Sequence, residues 1–132
     1  MDDVRPVNAY LSGNYAPVSD EIDAACVVSG EMPKDLAGAL YRNGPNPHFV
    51  PPGDYHWFGG DGMIHGFFVE GGQVRYRNRF VRTPKWKREN AAGRALFGTF
   101  GNPVTSDPSV LGEDAGVANT NIVWHADRLM AL

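Results

Sequence analysis

Sixteen glycines and ten prolines in 132 residues leave little room for long regular elements. They fall between short apolar stretches, and that punctuation predicts short strands joined by tight turns rather than a helical bundle. "AACVVSG" (24–30) reads as a strand, "EMPKDLAG" as a turn and "ALYRNG" (39–44) as a second strand. The following "PNPHFVPPGDY" carries four prolines, each lacking a backbone donor, and reads as a loop.

The clearest hairpin has strands over 63–69 and 74–81 around the turn "EGGQ". On its return strand Val74, Tyr76 and Phe80 alternate with Arg75, Arg77 and Arg79. A period of two predicts one buried face and one solvated basic face, its arginines decorating the surface or pairing with neighbouring acids rather than binding a ligand. "PKWKRENAAGRALFG" (84–98) is the one predicted helix: Pro84 opens it, Gly93 weakens it and Gly98 ends it. A long loop, "TFGNPVTSDPSVLGEDAG", precedes a last hairpin of "NTNIVWH", the turn Ala126–Asp127 and "RLMAL". Successive hairpins suit a propeller or a sandwich. The final strand runs apolar to Leu132 without turn, cap or polar tail, so the chain is expected to be the beginning of something longer.

Bulk composition narrows the function classes. With 42% hydrophobic and 20% charged residues the chain is globular, and its net charge of -3 provides no footprint for nucleic acid. Nor does it indicate attraction to an anionic membrane, and no run approaches the roughly 20 apolar residues of a spanning helix. "MDDVRPVNAY", acidic and broken by Pro6, resembles neither a secretory signal nor a mitochondrial presequence, giving a cytoplasmic expectation. Cys26, the single cysteine, lies in an apolar run and reads as a buried, inert thiol.

Candidate chemistry centres on "YHWFGGDGMIHG" (55–66), with two histidines around a glycine-rich turn. The histidines are His48, His56, His65 and His125, and no pair has the spacing of a helical metal motif. Each reads as a structural histidine, although a metal site built from His56, His65 and His125 is an open alternative. "GGDG" lacks the lysine and spacing of a phosphate loop. It reads instead as a tight turn in which glycine supplies positive φ and Asp61 bonds its neighbours' amides.

Read in order, "YLSGNYAPVSDE", "GEMPKDLAGALYRNGPNP", "YHWFGGDGMIHG", "YRNRFVRT" and "ANTNIVWHADRLMAL" resemble the N-terminal part of the carotenoid cleavage oxygenase family. "WKRENAAGRALFGTFGNPVTSDPSVLG" is similar to its bacterial lignostilbene, or stilbene, dioxygenase branch. The resemblance implies an all-β fold: residues 1–132 as the N-terminal portion of one seven-bladed β-propeller domain, incomplete by themselves. It also implies a non-haem dioxygenase that uses Fe2+ and O2 to cleave the double bond of a small hydrophobic or phenolic olefin, a stilbene or an apocarotenoid, into two carbonyl products. The family's iron histidines match nothing here and are expected beyond Leu132; no catalytic or metal residue is assigned within the chain. Phe58 and Phe100 match aromatics that line the substrate pocket in the stilbene-cleaving branch, with ordinary core packing the competing role for each. Phe100 carries no hydroxyl with which to meet a phenol, and Gly59 replaces an aspartate common in the family's block. The alternatives are a truncated remnant or interaction module lacking iron, or, within the family, an isomerase.

Overall fold

The computed structural model describes residues 8–132. The acidic N-terminus and Pro6 lie outside the described residues. Four strands form one antiparallel sheet in the order β1-β4-β3-β2: β1 Asp23–Ala25, β2 Gly38–Pro45, β3 Gly62–Glu70 and β4 Gln73–Phe80. A second, two-stranded sheet pairs β5 (Ile122–His125) with β6 (Arg128–Ala131). Helix α1 spans Pro84–Ala92. Among the described residues no helix is long and apolar enough to cross a membrane.

The central hairpin is the one the alternation predicts, closed by Gly71 and Gly72 at φ 58° and 80°. Two consecutive positive φ angles give the turn whose twist matches the flanking strands. The β5–β6 turn has the same geometry at Ala126 and Asp127, φ 48° and 58°, without a glycine. Register places Met63, His65 and Phe67 on one sheet face with Asn78, Tyr76 and Arg42. On the other face Arg75 and Arg77 flank Asp23, whose carboxylate takes hydrogen bonds from both. The arginine face is therefore solvated and paired, as expected.

Three local expectations change. The first strand stops at Ala25 instead of reaching residue 30; Val27 is fully exposed and Cys26 only half-buried. The helix ends at Ala92, not Gly98, because Gly93 adopts the left-handed conformation (φ 67°) and its N–H caps Glu89 O. Its other end is fixed by Thr83, whose Oγ1 accepts the Trp86 N–H at 3.1 Å. In "GGDG", glycine is needed for space and not for positive φ. A Cβ on Gly62 would lie 2.1 Å from Ala118 O, where strand β3 meets the segment leading to β5.

Among the described residues, several polar side chains are fully buried within the segment. Of the largest fully buried ones, Met63, Glu89, Asn78 and Asp61, only Met63 is apolar. A small apolar cluster of Leu96, Phe97 and Val110 closes under the helix C-terminus. The four-stranded sheet, helix α1 and the loops around them thus share hydrogen-bonded buried groups, which position the loops described next.

Candidate functional site

Loop 56–61 and loop 96–100 meet at their aromatic residues. The rings of Phe58 and Phe100 lie 5.6 Å apart, edge to face at 89°. The structure brings the two predicted contacts together, and within this segment both are more than half exposed. His56 joins them, its ring 4.6 Å from Phe58 and 6.3 Å from Phe100, and its Nδ1 accepts the Phe58 N–H at 3.2 Å. Gly59 packs against Phe100: a Cβ there would lie 3.6 Å from Phe100 Cβ, an ordinary contact. Asn119 holds the loop from beneath, donating to Phe58 O at 3.0 Å and Gly60 O at 2.7 Å.

Behind the loops stands a buried ion network. Lys85 Nζ donates to Asp61 Oδ1 at 2.9 Å and to Glu89 Oε2 at 2.8 Å. Asp61 Oδ2 accepts the His48 N–H at 2.9 Å, and Glu89 Oε1 accepts the N–H groups of Leu96 and Phe97 at 2.9 and 3.0 Å. Asp61 therefore reaches across to two other segments, where the sequence suggested bonds within its own turn. Sequence reasoning places Lys85 and Glu89 on a helix but misses their burial. Their i,i+4 spacing is the available signal, and it ordinarily marks a solvated pair.

A cavity of about 790 Å3 adjoins loop 56–61 through Trp57 and is lined by Tyr10, Tyr15, His65 and Tyr76 among others. Neither Phe58 nor Phe100 lines it. His65 Nδ1 and the Tyr76 hydroxyl are 2.6 Å apart at its wall. Burial, then the nearby Arg42 charge, lowers the His65 pKa below 6.5, and burial raises that of Tyr76 above 10.0. Tyr55, behind Trp57, is pushed up to about 12 by burial and by the Asp61 carboxylate.

The histidines do not converge. His48 stacks on Trp86 and bonds Asn90 Oδ1 at 3.0 Å, His56 belongs to the aromatic loop, His65 pairs with Tyr76, and His125 ends strand β5. Among the described residues no three His, Cys, Asp or Glu side chains could hold a metal ion together. These residues do not fit an iron site.

The family model for retinal pigment epithelial membrane protein matches residues 15–132. The chain belongs to that family. Its relatives include the lignostilbene-α,β-dioxygenase isozyme III of Sphingomonas paucimobilis, 40% identical over 129 residues, covering 96% of this chain and 26% of the enzyme. A carotenoid cleavage oxygenase of Mycobacterium tuberculosis is 43% identical over 129 residues, covering 95% of this chain and 24% of the relative. The crystal structure of Pseudomonas brassicacearum lignostilbene dioxygenase superposes with a TM-score of 0.88 at 32% identity, over 96% of this chain and 27% of that one. The carotenoid oxygenase resemblance is thus confirmed, and with it the fold. These sheets are part of a seven-bladed propeller, and the chain spans about a quarter of the length of its relatives.

Proposed function

We propose that residues 1–132 form the N-terminal part of a single propeller domain in a non-haem Fe(II) dioxygenase of stilbene-type or apocarotenoid olefins. In the overall reaction the carbon–carbon double bond breaks, each carbon takes one atom of O2, and two carbonyl products leave. No external reductant is needed for that balance. The observation that carries the reading is the match to lignostilbene dioxygenase, a TM-score of 0.88 over nearly the whole chain. On this reading the ferrous iron is held by histidines in the rest of the propeller. This segment supplies scaffold and, at Phe58 and Phe100, an apolar edge against which an aromatic substrate lies. The expected location is cytoplasmic.

A chimera tests it: residues 1–132 replace the matching quarter of the Pseudomonas brassicacearum enzyme. The expected result is stoichiometric iron, equimolar consumption of O2 and a hydroxylated stilbene, and two aldehydes each carrying heavy oxygen from labelled O2. Residues 1–132 alone are expected to bind no stoichiometric iron and to cleave nothing. A folded chimera that cleaves no olefin would favour a non-catalytic remnant, and iron held tightly by the isolated chain would overturn the assignment of its site elsewhere.

A further inference from the structure

Lys85 is buried with two carboxylates, Asp61 and Glu89, each about 1% exposed. Removing three charges from water is costly, and apolar side chains of similar volume would hold a helix at least as well. What the ions add is direction. Every acceptor oxygen of Asp61 and Glu89 has a donor, and those donors come from the loop at His48, from α1, and from the backbone at Leu96 and Phe97.

Those anchor points bracket the aromatic pair. Phe58 lies three residues before Asp61, and Phe100 three residues after Phe97. Between anchor and ring the second loop is pinned again: Gly98 N–H donates to Ser106 Oγ at 2.9 Å and Thr99 N–H to Thr105 Oγ1 at 3.0 Å. Within this segment the two rings meet each other, His56 and Trp57, and none of these contacts comes from a regular strand or from helix α1. Their edge-to-face geometry is set by the two loops.

We propose that Lys85, Asp61 and Glu89 are positioning residues that hold Phe58 and Phe100 in register as one rigid aromatic edge for the substrate. The proposal rests on the reading of those two phenylalanines as substrate contacts. Glu89 is the decisive member, because it alone links Lys85 to the loop bearing Phe100.

The chimeric enzyme provides the test, with 4-fluorophenylalanine at position 100 as a fluorine NMR probe and a hydroxylated stilbene as substrate. Phe58→Ala calibrates the probe by removing the neighbouring ring. Glu89→Ala is expected to shift the fluorine signal and raise KM about tenfold with a smaller change in kcat. Glu89→Gln keeps an acceptor for the two amides and is expected to move both readouts less. Asn78→Ala, a buried change on strand β4 that bonds neither loop and none of the three ions, is expected to lower Tm without moving either. Should Glu89→Ala not fold, the Glu89→Gln and Asn78→Ala comparison decides. An unmoved fluorine signal in the Glu89 variants, or a KM that follows Tm in all of them, overturns the positioning role. If Phe58→Ala and Phe100→Ala leave KM unchanged, the substrate-contact reading fails, and the proposal with it, even where the fluorine signal moves.

Discussion

Asn46 and Asn78 flank Met63, and each donates an amide N–H to its sulfur, at 3.5 and 3.4 Å. Each uses its remaining amide atoms as a substitute strand. Asn46 accepts from Val18 N and donates to Val18 O, at 2.8 and 2.7 Å. Asn78 accepts from Ile22 N at 2.6 Å and donates to Asp20 O at 2.9 Å. The segment before β1 is thus fastened to the sheet largely by side chains.

Replacing Asn78 with alanine strands one backbone donor and one acceptor, and an unmade buried bond costs roughly 1–3 kcal/mol. Asn78→Ala is therefore expected to lower the urea midpoint of the chimera and to expose residues 20–22 to amide exchange. Asn78→Asp keeps the acceptor for Ile22 but buries a carboxylate against the Asp20 carbonyl without a cation, so its effect should be at least as large. Equal stability of Asn78→Ala and parent would show that this clamp holds nothing.

Lys85→Met leaves the Asp61 and Glu89 carboxylates buried together without a cation. Breaking a buried ion pair at one partner costs about 3–5 kcal/mol, so this should be among the most damaging single changes in the segment. Changing the whole set at once, as Lys85→Met with Asp61→Asn and Glu89→Gln, removes the charges and should recover much of that loss. The paired urea titrations separate a specific charge imbalance from a simple packing defect, in which the triple variant would be worse.

At Gly62 the constraint is steric. Its N–H donates to Val117 O at 2.8 Å, and an added Cβ would sit 2.1 Å from Ala118 O. Gly62→Ala should force residues 117–118 off the start of β3 at a cost of about 3 kcal/mol. Greater exchange at residues 117–122, with the β3–β4 hairpin unchanged, is the expected signature.

The His65 pKa is held below 6.5 by burial and by Arg42, beside the Tyr76 hydroxyl. A lowered folded pKa means that the unfolded chain binds the proton more readily. The stabilisation is complete above pH 6.5 and is lost as pH falls through the folded value. His65→Gln should therefore flatten the decline in Tm below that pH. A parent whose Tm falls no faster than the variant's between pH 7 and pH 5 would contradict this.

The central hairpin and its basic face were legible because alternation and a Gly-Gly turn are local signals. The family was legible from ordered sequence blocks. The polar centre was not: Lys85 and Glu89 read as a solvated i,i+4 pair, because only the tertiary fold brings Asp61 and the Leu96–Phe97 amides to them. The overlong helix and the overlong first strand failed for a related reason. Gly93 took the left-handed cap, where sequence allowed mere weakening, and the ladder to β4 ends with the Cys26 N–H on Val74 O, leaving Val27 fully exposed.

Phe100 provides the sharpest test of substrate chemistry. Its Cβ rests on Gly59 and its ring meets Phe58 edge to face, while more than half of the residue is exposed. Phe100→Tyr adds a hydroxyl without changing ring size, so stability should stay within about 0.5 kcal/mol. If Phe100 lies along a phenolic substrate, the new hydroxyl can bond the phenol, and a hydrogen bond contributes about 0.5–1.5 kcal/mol. That predicts a KM lowered about two- to tenfold for a hydroxylated stilbene and lowered less for its methyl ether, which still accepts but can no longer donate. Gly59→Asp changes the surface beside that ring and brings a carboxylate toward the same position. It should oppose the gain if the site is an apolar edge. Equal KM ratios for phenol and ether in parent and Phe100→Tyr would place the phenol elsewhere in the propeller.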